Sequence, residues 1–454
     1  MKLHIPEPTI NIGKDGFEGH CKLGRKDMGE KLSTLLSALE DPIVVALDAP
    51  WGSGKSHFLK CWCGAHIHEF SHLKDIVVYF DAFKHDYLDD PLLALTSLLD
   101  DRFASEKGAE KIIKKLKNAA FSAGKPLIRI GLAAATAGVS EFAGPIVTAA
   151  LDATNNQANE LVDKMWEAET GRISAMENFA AALTELTAAE NESEQRKVIF
   201  IVDELDRCRP DYALSLLEIV KHFFAVPGVH FVLGVNLKEL SNSIQTRYGA
   251  GVDTNAYLQK FIDVRMGLET SLQLGNQGSE AKIYFGHVAG RMGLDNPHYK
   301  ASIDTYLELW GDKCPLTLRN VTKLVSAAVL TPTLSQHLQN RARYILIAGL
   351  LILKTGNPEL LDKLRSPNRL VEAYQEISDY FAFPADVKNS YASVTEIVNV
   401  WHCFLKGAPI LSEQKPGDLQ GILGIIGSCD DLRKELFSKY LDVFDAGNFV
   451  REKS

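Results

Sequence analysis

The chain has 454 residues and a net charge of −9, with 46% hydrophobic and 24% charged residues. That describes a soluble globular protein long enough for two or three domains. The acidic balance argues against a surface given over to nucleic acid, though a local basic patch stays open. Seven cysteines (Cys21, Cys61, Cys63, Cys208, Cys314, Cys403, Cys429) are scattered and odd in number. They suit a reducing compartment better than a disulfide framework. Met1–Pro6 has no apolar signal-peptide core, so the expected location is cytoplasmic, with a position against the inner face of the membrane as a variant.

Residues 1–41 read as a lead-in. Gly13, Gly16 and Gly19 punctuate a loop, and Met28–Leu39 is a predicted helix with Leu32, Leu35, Leu36 and Leu39 on one side. Pro42–Leu47 then reads as a buried strand. Ala49-Pro50-Trp51-Gly52-Ser53-Gly54-Lys55-Ser56 follows it and runs into a helical pattern at His57. Strand, small-residue loop, Gly-Lys-Ser and helix make a phosphate-binding loop. Glycines let backbone N–H groups turn in around phosphate oxygens, and the new helix points its positive end at the same anion. Trp51, Gly52, Ser53, Gly54, Lys55 and Ser56 are therefore the candidate nucleotide-binding residues. Lys55 is placed to meet the β- and γ-phosphates, and the Ser56 hydroxyl to ligate Mg²⁺. Ala49 stands where the usual pattern begins with Gly.

The following helix carries Cys61, Cys63, His66 and His68. At about 100° per residue Cys61 and Cys63 lie some 200° apart, so incidental packing is expected rather than a metal site. Ile76–Phe80 is the next strand, followed by Asp81–His85 and a helix from Pro91. Residues 100–195 read as an insertion. Its 106–125 part is rich in lysine, 127–151 is almost uncharged, and 158–190 reads as an acidic amphipathic helix. The 106–151 stretch has two readings: a membrane-associated hairpin with lysines on anionic headgroups, or small-residue helices packed against protein. Glu141 and Gly144-Pro145 interrupt the apolar run, which favours packing.

Val198–Val202 is a run of apolar β-formers ending in Asp203 and Glu204. A central parallel strand is buried on both faces, so acids appear at its C-terminal end, where ligands bind. Asp203 is the second candidate Mg²⁺ ligand, and Glu204 the candidate base that deprotonates the attacking water.

Asp203-Glu204-Leu205-Asp206-Arg207-Cys208 closely resembles the extended Walker B signature of the KAP family of P-loop NTPases. Trp51–Ser56 is similar to that family's Walker A loop, and Phe80–Lys84 and Tyr257–Ile262 to two further segments. The likeness spans about residues 20–330. Ala49, Glu204 (usually Asp in the family), Asn236 (often Asp) and Phe83 (often Trp) depart from it. The resemblance implies a parallel sheet in the order 5-1-4-3-2 and ATP with Mg²⁺ as nucleotide and cofactor. It also implies an apolar insertion between the Walker motifs, sometimes membrane-spanning. Some relatives exclude phage, which makes anti-phage defence in a bacterium an expectation.

Val229–Val235 is a further strand ending at Asn236, which either senses the γ-phosphate or caps the strand end. No Asn-Lys-x-Asp guanine motif is present. Asp263–Leu268 is the last strand. Residues 271–335 are expected as a helical lid in which Arg319, at a helix start, contacts the γ-phosphate; Arg247 and Arg265 are rivals for an arginine acting in trans. Residues 336–454 are helical by pattern, with 343–353 a core helix too short to span a bilayer. The expected architecture is an α/β P-loop NTPase core (42–99 and 196–270) with insertion, lid and helical C-terminal region. Glu204, Lys55, Asn236 and Arg319 are its catalytic candidates. A protein partner is expected at the insertion or the C-terminal region, and self-association is left open. Two rivals stand beside the ATPase: a membrane-associated scaffold with little turnover, and an NTPase activated by nucleic acid through Lys107–Lys125.

Overall fold

Runs of β-branched and apolar residues form the strands β1 Ile43–Asp48, β2 Ile76–Asp81, β3 Val198–Asp203, β4 Val229–Val235 and β5 Val264–Gly267. All pair in parallel, in the order β2-β3-β4-β1-β5, which is the expected order read from the other edge. β3 and β4 are buried along their whole length, as central parallel strands must be when helices cover both faces. The structure is a computed structural model that describes residues 9–72, 74–88, 90–103, 109–135, 173–188, 196–268, 280–310, 316–331, 341–365, 370–385, 392–406 and 429–441.

The chain divides into two units. One comprises Ile10–Cys21 and Arg25–Glu269; the other comprises Thr270–Ser454 with Met1–Thr9 and Lys22–Gly24. In the sheet unit, α1 (Lys26–Ala38) buries Leu32 and Leu36, with Leu35 and Leu39 partly buried against the same core. α2 (Lys55–Gly64) continues into a π-helical turn at Ala65–Glu69. Next come α3 (Ala82–His85), α4 (Pro91–Phe103), α5 (Ala109–Ala135) and α6 (173–187). After β3 lie a short 3-10 turn at Leu205–Arg207 and α7 (Pro210–Phe223); α8 (Leu237–Tyr248) and α9 (Thr254–Leu258) precede β5.

The described flanks of the insertion are part of the sheet's own core. Phe103, Ile113, Leu116, Phe179 and Leu183 share one buried cluster with Phe200, Val202 and Phe231. Phe224 ties the layers together with edge-on contacts to Phe179, Phe200 and Phe231. Lys115 pairs with Glu185 at 2.6 Å and Lys117 with Asp100 at 2.5 Å, so part of the lysine-rich run meets acids of its own chain. Of the apolar 127–151 segment, 127–135 extend α5 and 136–151 lie outside the described residues, as does 158–172 of the expected acidic helix. Among the described residues no helix is long and apolar enough to cross a membrane.

The second unit holds α10 (Glu280–Met292), α11 (Pro297–Trp310), α12 (Leu318–Leu330), α13 (Arg341–Gly356), α14 (Pro358–Arg365), α15 (Leu370–Tyr380), α16 (Ala392–Lys406) and α17 (Cys429–Leu436). α13 is buried from Tyr344 to Leu353, as its unbroken apolar run requires. Inside this core Trp401 Nε1 donates to Tyr306 Oη at 2.6 Å, and the Tyr306 hydroxyl donates to the Ile345 carbonyl at 3.0 Å. Of the expected lid, residues 271–279, 311–315 and 332–335 lie outside the described residues.

Candidate nucleotide-binding site

The loop between β1 and α2 bends where its glycines allow. Gly52 and Gly54 have φ of 81° and 89°, values that a side chain disfavours. Gly54 is the residue before α2, and the Phe58 N–H donates to its carbonyl at 3.0 Å, so the helix opens with Lys55 and Ser56 in its first turn. Lys55 is 8% exposed, and its Nζ donates to the carbonyl of Ala49 and, at 3.5 Å, to that of Pro50. Burial draws its pKa down, against the nearby carboxylates of Asp206 and Asp203. Arg25, also buried, donates from Nη1 to the Ser53 carbonyl at 2.9 Å and braces the loop from α1's N-terminal end. No periodicity or motif in the sequence distinguished Arg25.

β3 delivers Asp203, 1% exposed, to the same sheet edge. Tyr79 from β2 donates its hydroxyl to Asp203 Oδ2 at 2.6 Å, and the Glu204 N–H donates to Oδ1 at 2.9 Å. Burial, then the adjacent Asp203, push the Tyr79 phenol far above its ordinary range, so it remains a donor. Tyr79 was not singled out from sequence because it sits inside a strand pattern as an aromatic β-former. A Cβ on Gly234 would lie 2.7 Å from Asp203 Oδ1 and 2.5 Å from Leu59, so this glycine of β4 makes room for the carboxylate.

Glu204 lies in the left-handed region at φ 60°, uncommon for a residue with a side chain. Its Oε1 pairs with Arg207 Nη1 at 2.8 Å. Burial raises the Glu204 pKa; Arg207 opposes the rise, while Asp203, Asp81 and Asp206 add to it. The three residues of the Asp-Arg-Cys extension thus divide the work. Asp206 accepts from Trp51 Nε1 and so joins this turn to the phosphate loop. Arg207 holds Glu204, and the buried Cys208 thiol lies 3.6 Å from the Glu204 carbonyl, placed to donate to it. Burial raises the Asp206 pKa, against the Trp51 hydrogen bond and Lys55.

The other sequence candidates are placed as follows. Asn236 caps α8, its Oδ1 accepting from the Lys238 N–H at 3.2 Å, and its own backbone amide favours the Asp206 carboxylate. Arg265 donates from Nε and Nη2 to Asp48 Oδ2 at 3.1 and 2.5 Å, an ion pair between neighbouring strands β5 and β1. Arg319 is exposed in the first turn of α12 in the second unit, where Thr317 Oγ1 accepts from the Asn320 N–H at 3.2 Å and caps that helix. The donor set fits Mg²⁺ and a polyphosphate: a buried carboxylate given space by a glycine, a hydroxyl in the first turn, and Ser53 Oγ buried with no hydrogen-bond partner among the described residues.

A parallel sheet with this loop and this acidic strand end defines a P-loop NTPase domain. The model of the KAP family P-loop domain matches residues 25–329, and the chain belongs to that family. An uncharacterized protein of Methanocaldococcus jannaschii is 25% identical over 171 residues, 34% of this chain and 86% of that one. The Aeropyrum pernix ORC2 protein in its ADP form aligns with a TM-score of 0.34 at 11% identity, over 92% of this chain and 94% of its own. Its ADPNP–ADP complexes align with a TM-score of 0.33 at 10% identity, over 91% and 95%.

Gly234→Ala tests the packing at Asp203. The added methyl meets both Leu59 and Asp203, so unfolding in urea should show a loss of about 1–3 kcal/mol, the usual cost of overpacking. A variant as stable as the parent would mean that Asp203 can shift freely.

Proposed function

We propose that this chain is a Mg²⁺-dependent ATPase in which nucleotide turnover drives a conformational switch. The observation that carries the reading is the meeting, at one sheet edge, of a loop with two left-handed glycines, a buried lysine and a fixed Asp203–Glu204 pair. Trp51–Ser56 would wrap the phosphates with backbone amides, and Lys55 would leave its loop carbonyls for the β- and γ-phosphates. Ser56 and Asp203 would hold Mg²⁺, which when bound neutralises charge on the phosphates. Glu204 would orient the attacking water and accept its proton, with Asn236 hydrogen-bonding the water or the γ-phosphate. Arg319 would report the γ-phosphate from the helical unit. The absence of a guanine motif favours ATP over GTP. A protein partner would bind the insertion, residues 100–195, or the C-terminal region. Exclusion of phage is the cellular output to test, by plating efficiency on cells with the parent or the Lys55→Ala chain.

A second reading, a nucleotide-binding scaffold with little basal turnover, draws on the Arg207–Glu204 pair, which engages the base.

Lys55→Ala should abolish tight ATP binding in calorimetry, and Glu204→Gln should keep ATP binding but slow phosphate release by ~10²–10⁴-fold, the usual worth of a positioned base. Full turnover in Glu204→Gln would move the base to Asp206. A parent chain that binds ATP yet turns over no faster than Glu204→Gln would favour the scaffold.

Arg207→Ala carries a pH signature. A base works deprotonated, and Arg207 is the partner that lowers the raised Glu204 pKa. Without it the acid limb of turnover should move to higher pH, with activity recovering as pH rises. An unmoved limb would remove Arg207 from control of Glu204.

Arg319→Ala should weaken ATP affinity while leaving ADP affinity nearly constant, because a charge-assisted hydrogen bond to the γ-phosphate, worth roughly 1.5–3 kcal/mol, is lost. Equal losses for both nucleotides would end the sensor reading.

A further inference from the structure

At the far end of the P-loop helix a second polar cluster forms. The helix leaves α-geometry in its π-turn, and such turns recur at functional sites. Ser71 then takes a left-handed conformation at φ 66°, and the chain doubles back so that the His72 ring stacks on His66 with centroids 4.5 Å apart. Asp75, just before β2, lies 3.1 Å from His66 Nε2 through Oδ2. One nitrogen of each histidine and a carboxylate oxygen of Asp75 all lie within 4.8 Å of one another. This spacing is not legible from Cys61, Cys63, His66 and His68, because the polar neighbours of His66 come from the turn beyond it.

We propose that His66, His72 and Asp75 form a Zn²⁺ site. Two imidazoles and a carboxylate are zinc ligands, whereas Mg²⁺ and Ca²⁺ take oxygen. Tetrahedral bonds of about 2.0–2.1 Å put ligand atoms about 3.3 Å apart. The His66–Asp75 pair is close to that separation at 3.1 Å, and the remaining gaps, none above 4.8 Å, would be closed by rotation of the half-buried His72. The surroundings are those of a metal site. His66 is fully buried, and its Nδ1 lies 2.9 Å from Ser33 Oγ, which also accepts from Trp62 Nε1 at 3.0 Å. When Nδ1–H donates to Ser33 Oγ, Nε2 is left as the ligand atom, the usual outer-shell arrangement. Asp75 Oδ1 accepts from the Lys197 N–H at 3.2 Å, and Ser37 Oγ lies 3.2 Å from the His72 ring. Any proton on Nε2 leaves for solvent on binding, so uptake of the metal is linked to proton release. A bound ion would join α1, the end of α2 and the start of β2.

The test is titration of the metal-free full chain with Zn²⁺ in competition with a chromophoric chelator, with Co²⁺ as a spectroscopic probe. The parent should bind one Zn²⁺ at this site and give the visible bands of tetrahedral Co²⁺. Outer-shell losses cost about 10–100-fold in affinity, so His72→Gln and Asp75→Asn, which remove ligands, should each lose at least ~10²-fold, and Ser33→Ala should lose about 10–100-fold. His68→Gln, whose ring instead contacts the Gly13 carbonyl, should bind as the parent does. Circular dichroism in EDTA checks that each variant folds. A parent that binds no Zn²⁺, or a folded His72→Gln with the parent's affinity, would overturn the site and leave a hydrogen-bonded relay from Trp62 through Ser33 and His66 to Asp75.

Discussion

The nucleotide edge of the sheet depends on one buried carboxylate. Asp203 is almost fully out of water at the end of a strand buried on both faces. An unpaired charge there would cost several kcal/mol, and its hydrogen bonds offset that. Tyr79 and the Glu204 amide each donate to one of its oxygens. The Tyr79 donor and the Gly234 gap are fixed by register, since Asp203 pairs with Asp81 on one side and Gly234 on the other. A slip of one residue would face the carboxylate into a hydrophobic layer. The site's precision is therefore a property of the sheet, not of the loops.

The turn after Asp203 extends that order into the phosphate loop. Glu204 is held off the regular backbone in a left-handed conformation and tied to Arg207, while Asp206 reaches Trp51. Trp51 of the phosphate loop and Asp206 of the turn after β3 are then two ends of one contact. A loop that closes around phosphate would pull on Trp51, and through Asp206 on the turn that carries Glu204. That gives the Asp-Arg-Cys extension a mechanical reading beyond its use as a signature.

Much of this was legible in sequence because central parallel strands announce themselves. All five strands, the phosphate loop and the acidic strand end follow from apolar runs and small-residue turns, and the strand order followed from the resemblance to the family. Arg25 and Tyr79 were not legible, since their roles arise from contacts 28 and 124 residues away in sequence. A different reason hid the His66, His72 and Asp75 cluster, whose members are near in sequence but are brought together by a π-turn and a left-handed serine beyond α2. The described flanks of the insertion pack into the sheet's core, Ile113 and Leu116 from α5 and Phe179 from α6.

The family match and the division into units do not coincide. The match continues to residue 329, through α10, α11 and most of α12, whereas the sheet unit closes at Glu269. Those helices bury Phe285, Tyr306 and Val325 in a cluster with α13 and α16, separate from the clusters around the sheet. The buried apolar run of α13 completes the second core, so the described C-terminal helices belong to the same packed unit as α10, α11 and α12.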